Sequence, residues 1–486
     1  MKKIGYAVGS ILLLVIAIVL YRTFDYDRPE IDIPAAAETT IPEGAAQRLS
    51  EAIQIATVSH DEPGRFHPEP FMNLQLWIAQ NYPLCDSLLS KTVINGYSLL
   101  YHWQGSDTSL DPVLLMGHMD VVPIEESTKD QWVHPPFSGA IADGYIWGRG
   151  TLDDKSSVIA ILESVETLLR QGHQPSRGLY LAFGHDEEIG GNEGAAYIAA
   201  HLEKKGAKAA YVLDEGMIIA KDMMPGFDQP VALIGIAEKG FLTLELIVNV
   251  EGGHSSTPKP ETSVTILNDA LQRLVDSPFK AKISKPTQEM FRFLAPEAGF
   301  TQKMAFQNLW LFENMVVGTF EKSGGSNAIV RTTIAPTILE AGVKENVIPA
   351  RARAVVNFRL LPGDSVSSVM RRVRNVIGDE RVELHKQGDW AAEASPVSAV
   401  DSHGFRAIRT AIGQQFPDAI VAPALVVGGT DAKHYTGVSP DIYRFLPVPI
   451  NPESLKAVHG LNERILIEDY HNSIRFYQQL LINSTK

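Results

Sequence analysis

From Pro112 onward the chain alternates short, unbroken apolar runs with longer amphipathic ones. Four short runs, "PVLLMGH" from Pro112, "LYLAFGH" from Leu179, "AAYVLDE" from Ala209 and "PALVVGG" from Pro423, have strand length and stop at polar residues. Between them "SSVIAILESVETLLRQG" and "EGAAYIAAHLEKKG" read as helices, the second closing on Lys and Gly as a helix C-terminus does. Strand and helix alternating at this spacing predict an α/β fold: a mostly parallel sheet with helices on both faces.

The middle of the chain follows another rhythm. "GFLTLELIVNVEG" and "ARAVVNFRLLPG" alternate apolar and polar positions like half-exposed antiparallel strands, and "ETSVTILNDALQRLVDS" and "SVSSVMRRVRNVIGD" read as helices packed on one side. A smaller α+β domain of ferredoxin-like type, inserted over 240–394, is the expectation. It divides a larger domain into 49–239 and 395–486. The stretch from Lys280 to Ser326 fits neither pattern and reads as an insertion with local helices.

The N-terminus departs from both patterns. "MKKIGYAVGSILLLVIAIVLYR" is uncharged from Ile4 to Tyr21, long enough to cross much of a bilayer as a helix, with Tyr6 and Tyr21 near the two interfaces. A cleaved signal peptide would carry a small-residue site directly after its apolar core, whereas "YRTFDYDRPE" follows here. An uncleaved signal anchor over 1–28 is therefore expected. Lys2 and Lys3 would be cytoplasmic and the body would lie in a periplasm or secretory lumen. "DRPEIDIPAAAETTIPEGAAQ" lacks apolar periodicity, so 29–48 reads as a tether.

Composition narrows the chemistry. A formal charge of −14 argues against nucleic acid as a partner, since such binders present a basic face. Cys85 is the only cysteine, which rules out an internal disulfide and a cysteine-based metal site. Any metal must be held by imidazoles and carboxylates.

Those groups collect where the apolar runs stop. Functional side chains of open α/β sheets lie beyond the carboxyl ends of the strands, and here the runs lead to His118 and Asp120, to Asp186, Glu187 and Glu188, to Asp214 and Glu215, and to Asp431 and His434. "GRGTLDDKSS" adds Asp153 and Asp154 before a helix, where either could equally be an N-cap. Carboxylates gathered in this way repel and raise one another's pKa unless a cation offsets them. Zinc suits a mixed imidazole and carboxylate set, and two divalent ions against three ligand carboxylates leave about one positive charge, which a bridging hydroxide would neutralise.

The motifs "GHMDVVP", "GRGTLDDK", "FGHDEEIGG", "VLDEG", "GGHSSTP", "ENVIP", "NFRLLPG" and "GGTDAKHY" occur in an order that resembles the co-catalytic zinc metallopeptidases, a family including carboxypeptidase S, aminoacylase, carnosinase and succinyl-diaminopimelate desuccinylase. The resemblance implies one zinc held by His118 and Asp214, a second by Glu188 and His434, and Asp153 bridging the two. It implies Glu187 as general base and Asp120 as the group that orients His118. It makes the inserted domain a lid, often also the dimer contact, in which His254, Asn346 and Arg359 meet the substrate, with Thr430 assisting from the larger domain.

The resemblance departs at Ser156, where many relatives carry Gly. The anchor and the long lid insertion point toward the carboxypeptidase S branch, which also contains hydrolases of N-fatty-acyl amino acids. The implied activity is release of a C-terminal amino acid with a free carboxylate, from a short peptide or from an N-acyl amino acid. A catalytically inactive, membrane-tethered binding protein is the competing reading from a different class.

Overall fold

The computed structural model describes residues 2–25, 32–60, 62, 64–388 and 391–485. Its largest sheet has ten strands. At the centre, Val113–His118 runs parallel to both Leu179–Gly184 and Tyr211–Asp214, and Ile442–Arg444 continues parallel to the latter. Ile420–Val426 pairs in parallel with Val231–Glu238. The flank is antiparallel, from Leu179–Gly184 through Ser98–Trp103 to Ser90–Ile94, so the sheet is mixed around a parallel centre. Every residue of Val113–His118 is buried, as a strand covered on both faces requires.

The helix Lys155–Arg170 packs across this sheet with residues 155–168 all buried. One of its acids, Glu163, is buried with full pairing: Arg48 reaches it through Nε at 2.6 Å and Nη2 at 2.8 Å, and the Tyr82 hydroxyl donates at 3.0 Å. Buried charge of this kind persists only when so satisfied.

The middle segment forms a separate antiparallel sheet in the order Thr333–Ala341, Arg351–Leu360, Gly240–Asn249, Val382–Lys386. In chain order the elements run strand, helix, strand, strand, helix, strand, with the helices Ser263–Asp276 and Val366–Ile377 between them. This is the ferredoxin-like arrangement. Leu242, Leu244, Leu246 and Val248, alternating along one strand, meet Ile266, Leu267, Val369 and Val373 from the helices in a core of their own. Both helices begin with a capping box, Thr262 with Thr265 and Ser365 with Ser368.

Two stretches differ from their sequence reading. The helices of 285–320 join the core of the large sheet, through Met290, Phe291, Phe293, Leu294, Ala305 and Val316. The described part of the expected tether lies along the C-terminal helix Ile467–Ser484. There Gln479 bonds both the N–H and the carbonyl of Ala37 (3.1 and 2.6 Å), and Gln478 does the same for Thr40 (3.0 and 2.8 Å). Side-chain amides here replace the partners that a strand would have supplied.

Candidate active site

His118 ends the central strand and is buried. Its Nδ1 donates to the Asp120 carbonyl at 3.0 Å, and its Nε2 lies 2.9 Å from Asp153 Oδ1. Burial opposes the charged ring, but Asp120, Asp153 and Glu187 outweigh it and hold the imidazole pKa well above its ordinary value.

Asp120 also organises the neighbouring turn. Its Oδ1 accepts the Glu187 N–H at 3.0 Å, and its Oδ2 accepts the Glu188 N–H at 3.1 Å and the Ser59 hydroxyl at 2.6 Å. One buried carboxylate thus fixes the imidazole of one strand end relative to the acids of the next. The same turn requires Gly191, at φ 70°, because a Cβ there would fall on Asp431 Oδ1.

Asp153 is the centre of the arrangement. Its Oδ1 faces His118, and its Oδ2 lies 3.0 Å from Nε2 of His459. The His459 Nε2 is also 3.1 Å from Glu188 Oε2, while Glu188 Oε1 is buried with no hydrogen-bond partner among the described residues. Ligand atoms of His118, Asp153 and Glu188 lie within 4.8 Å of one another. The hydrogen bonds to Asp153 and Glu188 raise the His459 pKa to about 10.

Other acids surround this group. The Glu187 carboxyl is pushed well above its ordinary range by desolvation, which His118 opposes and Asp431, Glu188 and Asp153 reinforce. Glu215 is raised by desolvation and then by Asp153, Asp214, Asp154 and Glu187. Convergent imidazoles, an orphaned carboxylate oxygen and mutually repelling acids are a donor set that fits divalent cations.

Two further sequence-derived ligands, His434 and Asp214, stand on elements beside this group. His434 stands on the turn Asp431–Tyr435, with its Nε2 donating to the Gly190 carbonyl at 3.1 Å. This bond ties the turn to the loop that follows Glu187 and Glu188. Asp214 accepts the N–H of Glu215 at 3.0 Å and of Ala432 at 2.9 Å. Each oxygen accepts one N–H and keeps a second lone pair, and desolvation raises the Asp214 carboxyl above its ordinary value.

His459 and Glu463, both in "VHGLNERI", were not found from sequence. His459 has φ 58°, a region that favours glycine. Glu463 is buried and holds the Asp153 loop: its Oε1 accepts from Gly150 at 3.0 Å, Leu152 at 2.8 Å and Asp153 at 3.3 Å, and its Oε2 pairs with Arg149 at 2.5 Å. The signal was a His, Asn and Glu cluster outside any apolar run.

Asp154 sits before the helix at Lys155, where its Oδ2 accepts the His118 N–H at 3.3 Å. Lys155 turns away and donates to the carbonyls of Ala52 and Ile55. Thr430 is buried, with its N–H and hydroxyl both donating to Glu238 Oε1 at 2.9 and 2.7 Å. The smaller domain carries the remaining three. His254 and Asn346 are exposed at the paired segments Gly253–His254 and Val347–Ile348. Arg359 lies with its guanidinium carbon 4.7 Å from the Phe241 ring centroid. Among the described residues no hydrogen bond or ion pair joins these three to the Asp153 group.

A cleft of about 600 Å³ adjoins the Asp120 loop, lined by Ala56, Val58, Pro70, Pro123, Ile124 and Phe137, with His60, His67, Glu126 and Lys129 adding polar groups. Its wall at Val58 is tied to the site by a bridge to Val121 and by the Ser59 bond to Asp120.

A sequence model of Peptidase family M20/M25/M40 matches residues 114–483. The chain is 40% identical over 489 residues to a probable carboxypeptidase S-like protein of Dictyostelium discoideum, covering 99% of this chain and 93% of the relative. It is 42% identical over 497 residues to an N-fatty-acyl-amino acid synthase/hydrolase of Xenopus tropicalis, covering 98% and 96%. In fold it is similar to the crystal structure of a metallo-carboxypeptidase from Sulfolobus solfataricus, with a TM-score of 0.68 at 18% identity over 90% of this chain and 99% of that one.

Proposed function

The chain belongs to peptidase family M20/M25/M40 and is a metal-dependent hydrolase, and we propose that it uses two zinc ions to cleave the amide bond to a C-terminal amino acid with a free carboxylate. The observation that carries this reading is Asp153, whose two oxygens face two different imidazoles, His118 and His459. His118, Asp153, Glu188 and His459, together with Asp214 or the adjacent Glu215, would hold the ions. Bound there, the ions would supply the charge that polarises the scissile carbonyl and acidifies the attacking water.

The chain's own groups do the rest. Glu187 takes the proton of that water and delivers it to the leaving amine. Asp120 keeps His118 and the Glu187 turn in register through the bonds described above. Arg359, steadied on Phe241, pairs with the substrate carboxylate. His254 and Asn346 close over the substrate from the lid, and Thr430, fixed by Glu238, lines the opposite side. The N-terminal helix anchors the body on the non-cytoplasmic side. The exposed edge strand Thr333–Ala341 offers a contact for a second copy.

The group on the acyl side distinguishes two activities. A short peptide would make the protein a carboxypeptidase. The apolar cleft beside Asp120 favours an N-acyl amino acid whose chain lies along Val58, Pro123 and Ile124. The test is kcat/KM of the zinc-loaded full-length chain for an N-blocked dipeptide and a long-chain N-acyl amino acid sharing one C-terminal residue. Preference for the dipeptide assigns the carboxypeptidase activity, preference for the long chain assigns the acyl one, and cleavage of neither refutes the reading.

A further inference from the structure

The helix Leu309–Phe320, "LWLFENMVVGTF", carries one charge, Glu313. Its inner side is accounted for: Val316 is buried, and Leu309, Phe312 and Phe320 pack on the large core. Its outer side is apolar and open. Trp310, Leu311 and Met315 are 52, 47 and 52% exposed, and Phe300, opening the preceding helix Phe300–Gln307, is 53% exposed. Scattered surface apolar residues need no explanation, but four large ones on adjacent short helices mark an interaction surface.

What lies beside this patch identifies its occupant. The N-terminal helix Lys2–Phe24 ends against it. Asn308, fully buried between the two short helices, donates through Nδ2 to the Val19 carbonyl and to Thr23 Oγ1, both at 3.2 Å, and Val19 and Thr23 are themselves buried. The Phe24 ring lies 6.1 Å from that of Phe300. Most of Tyr6–Phe24 otherwise stands clear of the body, with Ile4, Val8, Ile11, Leu12, Leu13 and Leu14 each more than half exposed.

These facts fix a height. Nineteen residues from Tyr6 to Phe24 rise about 28 Å as a helix, close to the hydrocarbon thickness of a bilayer. The Val19–Phe24 end then reaches the far interface, and whatever is bonded to Val19 and Thr23 lies at interface level. We propose that the Leu309–Phe320 helix, with Phe300, lies in the headgroup and upper acyl region of the same bilayer, as a second, monotopic contact that fixes the height and tilt of the catalytic body. The chemistry suits that layer: Trp310 prefers the interface, Leu311, Met315 and Phe300 face the acyl chains, and Glu313 and Asn314 remain at headgroup level. This inference rests on the anchor reading of the N-terminal helix.

The test uses the full-length protein in phosphatidylcholine vesicles whose acyl chains carry bromine near the headgroup or near the chain end. Subtracting the emission of Trp310→Phe from that of the unaltered chain isolates Trp310 among the six tryptophans. Loss of the Trp310 emission, greater with the shallow label, is the expected result. No loss with either label overturns the proposal. Alkaline extraction of the same vesicles then separates the two failures: protein retained with an unquenched Trp310 leaves the anchor intact and refutes only the second contact, whereas stripped protein refutes the anchor as well. A Leu311→Cys variant that cross-links to a second copy while Trp310 stays unquenched would assign the patch to self-association and also overturn the proposal.

Discussion

To accept a proton in the proposed reaction Glu187 must be an anion, yet desolvation and the acids around it push its pKa well above the ordinary range. Bound cations would reverse the balance, because they favour the ionised form more than the neighbouring acids oppose it. Glu187 thus serves the proposed chemistry and not metal retention. Glu187→Gln should keep its zinc, measured by elemental analysis, while kcat falls by ~10²–10⁴-fold. His118 and His459 carry the opposite expectation. Both pKa values are raised, that of His459 to about 10, so in the metal-free chain both rings are charged at neutral pH and must lose a proton to become ligands. Zinc binding near pH 7 should release protons, measurable in weak buffer with an indicator dye. The release should diminish as the pH rises through the pKa of His459, and zinc affinity should fall as the pH is lowered.

The residues legible in sequence were those on strand ends. His118, Asp120, Asp153, Glu187 and Glu188 follow apolar runs or a glycine-bounded turn, and their proximity follows from the sheet alone. His459 lies at positive φ in a turn that no apolar run announces. The adjacent Asp214 and Glu215 are not told apart by the apolar pattern, and the contacts that orient Asp214, from the N–H groups of Glu215 and Ala432, form only on folding.

At the scale of elements, the site is held by loops tied across long separations. The Arg149 and Glu463 pair joins the loop bearing Asp153 to the turn bearing His459, and Arg149 also donates to the Gly460 carbonyl at 3.0 Å. Glu463→Ala would strand a buried guanidinium and release three backbone N–H groups. A loss of about 3–5 kcal/mol in unfolding free energy is expected for breaking such a pair, read by urea denaturation of the metal-free chain. Both sheets and the ferredoxin-like insertion were legible, because apolar period and capping residues agree there. The packing of 285–320 on the large sheet was not, since short helices carry no record of the surface they cover. Nor was the docking of residues 37–40, where two glutamine amides replace an apolar pattern.

The whole molecule places an Asp153-centred site at the strand ends of the larger domain, with Arg359, His254 and Asn346 on the smaller one and an apolar cleft beside Asp120. The N-terminal helix is bonded to the body through Asn308, so a membrane anchor would also orient the cleft. The proposed reaction depends on two metal ions held around Asp153, with His459 as a ligand. The most direct measurement is zinc per chain in the purified full-length protein and in its His459→Ala and His434→Ala variants. About two ions in the unaltered chain and in His434→Ala, with a clear loss in His459→Ala, is the predicted result. Full loading of His459→Ala, or loss confined to His434→Ala, would contradict the account.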